Sequence, residues 1–323
     1  MVYNEKKGFW RGIYESYIPN RRDNLKQIII KVIFIVSFLT MLISAGYIAN
    51  HFITAEREEK IIDEAREIWH SAEPIEPPTE DVPSDSPMIE TSAEILVDRG
   101  PEKTLREMNG DFKGWITLAG AQVDHPIYQA EDNAYYLNHN QNKQKSAYGA
   151  LYFDYENSVT EEKIDKNLIV YGHEMNNGSM FGRLKKLREL SVYKKNSTVE
   201  LTLFGKKSVY RIYAIFVLNA SKADDDGYVY NIFKQSFANN EEFDNWVNEA
   251  YERSIINTNV EVEYDDEILT LVTCAQDFEN ARLVVMAKKL DASEDKSPEN
   301  YNATTNSDPR YPAKWYKKRG IER

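Results

Sequence analysis

Residues 28–49 read IIIKVIFIVSFLTMLISAGYIA, with Lys31 at the near edge and no charge between residues 32 and 49. A helix rises about 1.5 Å per residue, so this run spans a hydrocarbon core of about 30 Å with modest tilt. Lys31 sits where a long side chain can carry its ammonium back to the interface. Before the run, Lys6, Lys7, Arg11, Arg21, Arg22 and Lys26 outnumber the acids; after it the chain continues AEREEKIIDEAREIW. Positive-inside bias puts 1–27 in the cytoplasm and the bulk of the chain outside. A cleaved signal peptide would have a shorter apolar core nearer the start. The expectation is one retained transmembrane helix over 28–49 and a cell-membrane protein.

Beyond the anchor the composition narrows the options. The 323 residues carry a net charge of −12, whereas nonspecific nucleic-acid binding draws on a basic surface; no nucleic-acid partner is expected. One cysteine permits neither an internal disulfide nor a cysteine-rich metal site. No cofactor and no metal are expected.

Residues 50–94 read as a juxtamembrane helix and a spacer. Ile61, Ile62, Ala65, Ile68 and Trp69 recur at helical spacing. Pro74, Pro77, Pro78, Pro83 and Pro87 then break regular structure in an acidic run of extended character. Residues 95–290 read as one folded domain. A short helix is predicted over 101–108, with Pro101 in its first turn and Leu105 and Met108 on one face. From Trp115 the pattern changes to short runs rich in Val, Ile, Tyr and Phe: GWITLAG, VDHPIY, GALYFDY, NLIVYG, VELTLFG, SVYRIYAIFVL, ILTLVTC and ARLVVMAKK. Strands this short and frequent predict a mostly β fold, an antiparallel barrel or sandwich. Helical additions are predicted at MFGRLKKLREL and EEFDNWVNEAYERS. Past Leu290 the chain turns polar and ends basic and aromatic, YPAKWYKKRGIER; 291–323 reads as a flexible tail.

Cys274 closes the predicted strand LTLVTC, at a rim a substrate could reach. It is either a nucleophile or a buried structural thiol. Of the five histidines, His51 and His70 lie before the spacer, His125 sits between Asp124 and Pro126, and His139 lies in the polar stretch YYLNHN. His173 directly follows NLIVYG, so it too stands where a strand ends; it is a candidate base or a structural histidine. Arg282 opens ARLVVMAKK, and a hairpin would set it beside Cys274. A guanidinium there supports a thiolate and can donate to a developing oxyanion; the alternative is a solvated arginine at a strand start. Asp224, Asp225 and Asp226 lack EF-hand spacing and read as a solvated acidic loop rather than a calcium site.

Taken together these segments carry a resemblance. TLVTC resembles the TLxTC signature of sortases, the surface transpeptidases of Gram-positive bacteria. NLIVYGHEMNNGSMFGRL resembles the histidine segment of class B sortases, GWITLAGAQVDHPIYQAEDNAYYLNHN their first barrel segment, and ARLVVMAKK their last strand with its arginine. The resemblance covers 95–290. It implies an eight-stranded sortase β-barrel with helical additions. It puts the catalytic set on His173, Cys274 and Arg282, with Thr273 shaping the site. It implies cleavage of a C-terminal sorting signal of LPxTG or NPxTN type after its Thr, a thioester, and transfer to an amine. The partners implied are proteins bearing sorting signals, or pilins, and an amine acceptor such as a peptidoglycan precursor peptide or a pilin lysine. Ala275 departs from the pattern, standing where some class B members carry an acid. Two alternatives compete: a membrane-anchored cysteine hydrolase using water as acceptor, and a non-enzymatic surface module in which Cys274 is buried and inert.

Overall fold

The computed structural model describes residues 16–71, 95–96 and 99–322. Lys6, Lys7 and Arg11, and the prolines from Pro74 to Pro87, lie outside the described residues. The chain divides into two compact units, Met1–Lys60 and Ile61–Arg323.

The first unit contains most of helix α1 (Leu25–His70). Its start is a reciprocal cap: the Gln27 N–H donates to Asn24 Oδ1 and the Asn24 N–H to Gln27 Oε1, both at 2.9 Å. Lys31 meets Asp23 at 2.9 Å, which satisfies the one cation at the edge of the apolar run. Among the described residues, α1 is the one helix long and apolar enough to cross a membrane. Ile29, Ile33, Phe34, Val36, Leu39 and Ile43 are all exposed. A helix apolar on all sides needs lipid or protein around it.

The second unit is an eight-stranded closed barrel. Its strands are β2 (Phe112–Leu118), β3 (Val123–Tyr128), β4 (Leu151–Phe153), β5 (Asn167–Tyr171), β6 (Thr198–Leu203), β7 (Lys206–Asn219), β9 (Ile268–Cys274) and β10 (Ala281–Lys289). They pair in the order β7-β10-β9-β5-β4-β3-β2-β6, and a β6–β7 ladder closes the ring. The short β1 (Ile95–Leu96) adds to the start of β7. All eight runs predicted as strands are strands. Two neighbouring pairs are parallel, β3–β4 and β5–β9. A parallel pair needs a long crossover; between β5 and β9 it contains β6, β7 and helix α5 (Asn240–Arg253).

The helices cover the barrel. Helix α2 (Gly100–Met108) has Pro101 in its first turn and buries Leu105, while Met108 is exposed. The predicted helix over MFGRLKKLREL is broken by an extended Glu189 into a 3-10 turn (Leu184–Arg188) and α4 (Leu190–Tyr193); a single turn, α3 (Tyr135–Asn138), precedes them in the chain. In α5, the Asn239 side chain accepts from the Glu242 N–H at 2.9 Å. That helix buries Phe243, Trp246, Val247 and Ala250 against Tyr213, Phe216 and Tyr230.

Two boundaries differ from expectation. The end of α1 packs with the barrel instead of standing apart with the spacer. Ile61, Ile62 and Ala65 are buried, and Trp69 stacks on Trp115 at 5.0 Å between ring centroids. The residues at helical spacing form one apolar face, and burying it is favourable. The polar segment 291–322, expected to be a flexible tail, is seated on the barrel. Buried Arg211 donates to the carbonyls of Asp295 (2.7 Å) and Glu299 (3.1 Å), and the Ser197 N–H donates to Pro298 O (2.7 Å). β11 (Thr304–Thr305) pairs with β8 (Ile256–Asn257), and Ala303 is fully buried. Part of the hold is on its backbone carbonyls, which any composition supplies.

Candidate active site

Strand register brings the candidate residues to one rim. In the antiparallel β9–β10 hairpin, Arg282 stands opposite Cys274. In the parallel β5–β9 pair, Tyr171 is level with Val272, and the Gly172 N–H donates to Val272 O at 3.2 Å. His173 lies two residues beyond Tyr171, as Cys274 lies two beyond Val272, so both leave the barrel at the same edge. Cys274 is exposed. That exposure runs against the non-enzymatic reading, which expects a buried thiol.

Neighbouring backbone fixes the His173 ring. Its Nε2 lies 2.7 Å from the carbonyl oxygen of Leu137, in α3. A carbonyl only accepts, so Nε2 carries the proton, and in the neutral ring Nδ1 keeps the lone pair. Gly149 lies against this arrangement with φ +61°; a Cβ there would stand 2.5 Å from Tyr136 O, 3.1 Å from Leu137 O and 3.1 Å from His173 Cδ2. Both the positive φ and the close approach call for glycine.

Thr273 is 3% exposed and shares the Leu269 and Leu271 face of β9; its Oγ1 has no hydrogen-bond partner among the described residues. Arg282 is half-buried, and its Nη1 donates to Ala281 O at 3.0 Å. Tyr152 and Tyr171 line the wall, with ring centroids 5.3 Å apart. Burial lifts the Tyr152 phenol well above its ordinary value; the charges of Asp154 and Cys274 add to the lift and Arg282 opposes it. Burial and the neighbouring Asp154 lift Tyr171 further, and its hydroxyl donates to Asp154 Oδ2 at 2.8 Å. Both phenols stay protonated at neutral pH.

The other histidines are elsewhere. The His139 ring stacks on Tyr135, and its Nδ1 lies 2.9 Å from Tyr135 O. His70 meets Asp124 at 2.8 Å. His125 is buried; desolvation first, then Arg66, pulls it down to about 3, so it stays neutral. His51 lies in α1. The acidic loop is not simply solvated: Asp225 accepts the Lys314 N–H at 3.3 Å, and Asp226 pairs with Lys317 at 2.7 Å.

Sequence reasoning missed the Leu137 carbonyl, Gly149 and Asp277. Asp277, three residues after Cys274, takes the fork of Arg188 at 2.9 and 3.0 Å. Gly149 had a signal, a glycine two residues before the short strand LYF; the other two had none.

A family model describing a sortase domain matches residues 116–290. The chain belongs to the sortase family. It is 33% identical over 188 residues to sortase B of Listeria monocytogenes, covering 58% of this chain and 72% of that one. Among solved structures it is similar to Clostridium perfringens sortase B, with 36% identity and a TM-score of 0.53 over 59% of this chain and 100% of that one. It is also similar to a Staphylococcus aureus sortase B-substrate complex, with 26% identity and a TM-score of 0.53 over 60% and 87% of the two chains. Sortases are cysteine transpeptidases of the cell wall, and so is this chain. Its long apolar N-terminal helix is a candidate membrane anchor.

Proposed function

We propose that Cys274 is the nucleophile, His173 the general acid and base, and Arg282 the group that holds the oxyanion and the bound peptide. The substrate is a C-terminal sorting signal of LPxTG or NPxTN type, cut between Thr and the next residue. The acceptor is an amine of a wall precursor peptide or a pilin lysine. The N-terminus is cytoplasmic and the barrel extracellular. The observation that carries this reading is the register that sets Arg282 opposite Cys274 and delivers His173 beside them from β5.

Cys274 Sγ attacks the scissile carbonyl carbon, and the thiol proton passes to His173 Nδ1, because Nε2 is engaged with Leu137 O. Arg282 donates to the oxyanion as the tetrahedral adduct forms. The protonated imidazole then gives its proton to the leaving amine, and a thioester remains on Cys274. The incoming amine attacks the thioester, His173 takes the amine's proton, and the thiolate leaves. Thr273, packed under the nucleophile with its hydroxyl unpaired, shapes the site.

The test is cleavage of a small library of candidate sorting peptides by the full chain, read by mass spectrometry with and without amines. The expected results are an acyl adduct on the only cysteine and a ligated product when amine is added. Turnover with a water-derived product alone, at saturating amine, would replace the transpeptidase with the hydrolase. Turnover with no adduct under trapping conditions would point to another nucleophile.

A further inference from the structure

The matched sortase region ends at residue 290, and the chain beyond it returns to the loop that joins Cys274 to Arg282. Helix α6 (Ala313–Arg319) lies against that loop. Tyr311 and Trp315, stacked at 3.9 Å, pack with Ala275 against Val217, Phe278 and Ala281. Lys318 Nζ donates to the backbone carbonyl of Asp277 at 2.6 Å. The Asp277 carboxylate, 8% exposed, takes the Arg188 fork, and Arg319 approaches it at 4.0 Å. Burial works against the Arg188 charge, but its hydrogen bonds and charge pairing with Asp277 outweigh this and hold it above its ordinary value. Arg319 in turn lies 3.9 Å over the Trp315 ring.

The placement of these contacts matters more than their number. Arg188 belongs to the 3-10 turn downstream of His173, and Asp277 to the loop directly after Cys274. Their bidentate pair therefore ties the histidine segment to the cysteine hairpin. The loop backbone is held by the Ala275 N–H donating to Ala281 O at 3.0 Å, the Ala281 N–H to Phe278 O at 3.2 Å and the Ala220 N–H to Asn280 O at 2.9 Å. A short loop with so few backbone bonds opens readily unless something packs on it.

We propose that residues 311–319 are a clamp on the Cys274–Arg282 hairpin: Trp315 covers the 275–281 loop and Lys318 locks the Asp277 backbone, so that the Arg188–Asp277 pair aligns Cys274 and Arg282 with His173. Trp315, Lys318, Asp277 and Arg188 are positioning residues, and the inference rests on the transpeptidase reading above. The segment 291–310 has its own ties to the barrel through Arg211 and β11, and Arg310 meets Glu252 at 3.1 Å. Removing 311–323 therefore removes the clamp and leaves those ties.

The experiment compares the full chain in detergent with a chain ending at Arg310 and with Lys318→Ala, Lys318→Arg, Trp315→Ala and Trp315→Phe. Three quantities are read: kcat and KM on an NPxTN-type peptide, amide hydrogen exchange, and iodoacetamide alkylation of Cys274, the only cysteine. Ending at Arg310 is expected to speed exchange at the Ala275 and Ala281 amides about tenfold or more, with the β9 amides and those of β10 beyond Ala281 unchanged. The same truncation should lower kcat about ten- to a hundredfold, with KM within about threefold, because small misplacements of reacting groups cost that much. Lys318→Arg and Trp315→Phe should recover most of what the alanine variants lose. Unchanged exchange at Ala275 and Ala281 overturns the clamp. So does a rise in kcat, which would mean a cover rather than a clamp. So does a joint loss of kcat, KM and strand protection, which would mean structural support alone. If the intact chain turns over no sorting peptide, the proposed function fails, and the exchange arm still decides the clamp.

Discussion

At the barrel rim, His173, Cys274 and Arg282 extend from ladder strands whose interior holds Ile169, Leu271 and Val284, each fully buried. Along 61–70 and 291–322 the chain instead lies over other barrel strands, first by stacking Trp69 on Trp115 of β2, then by feeding carbonyls to Arg211 of β7. The rim spends little burial on its functional atoms: Cys274 is exposed, and His173 and Arg282 are half-buried. The overlying segments present no candidate nucleophile or base of the proposed reaction, yet they bury rings and satisfy a guanidinium. Substitution at the rim should therefore change rate and leave stability alone. Substitution in the overlying segments should change stability, the clamp residues excepted.

The largest effect is expected at Cys274. Cys274→Ala should remove turnover, since losing a covalent nucleophile costs up to about 10⁶-fold. The thiol is exposed, so the melting temperature should barely move. Cleavage assays and thermal melts on one preparation check both; a large fall in melting temperature would break the comparison at its centre. Arg282→Ala should come next, lowering kcat about a hundredfold, or about 3 kcal/mol, for one well-aimed oxyanion donor. Arg282→Lys should recover little, because an ammonium lacks the planar fork. A rise in KM at constant kcat would move Arg282 from the oxyanion to ground-state peptide binding.

Trp69→Ala tests the other side. Truncating a large ring costs about 3 kcal/mol at the low end, and Trp69 is only partly buried. Denaturant midpoints should fall while kcat and KM of the folded enzyme hold. A chain starting at residue 95 should lose the whole 61–69 face and be weaker than one starting at residue 61. Equal stability of the two would show that the helix end adds nothing to the barrel.

The same division explains what the sequence revealed. The eight barrel strands were readable because short runs of Val, Ile, Tyr and Phe between turn residues leave little other fold. TLVTC, YGH and the arginine of ARLVV were readable because each stands at a strand end. The face of α1 from Ile61 to Trp69 was visible as helical spacing, but what it would cover was not. Nothing in DASEDKSPENYN announces docking, since what it offers Arg211 and Ser197 is its backbone carbonyls. The Arg188–Asp277 pair joins residues 89 apart, and the Leu137 carbonyl that orients His173 has no side-chain signature.

The smallest effect is a pH dependence at the contact between the overlying helix end and barrel strand β3. His125 is 3% exposed, with Arg66 Nη2 3.5 Å from its Nε2 and Asp124 adjacent. Burial, then Arg66, lowers it to about 3 from 6.5, and Asp124 only partly offsets this. The folded state thus refuses a proton that the unfolded chain accepts. Stability from this group is complete above about pH 6.5 and is lost as pH falls toward 3. By pH 5 the loss should reach about 2 kcal/mol, at about 1.4 kcal/mol per pH unit. Asp124 stays charged at pH 4.5 and above: burial raises it, but its bonds to Trp115 and His70 outweigh this and hold it below its ordinary 3.8. Urea midpoints between pH 7.5 and 4.5 should therefore slope in the wild type and flatten in His125→Gln, which keeps a side-chain acceptor for Arg66. An equal slope in both would assign the acid sensitivity to other groups and leave His125 as a neutral piece of packing beneath the helix.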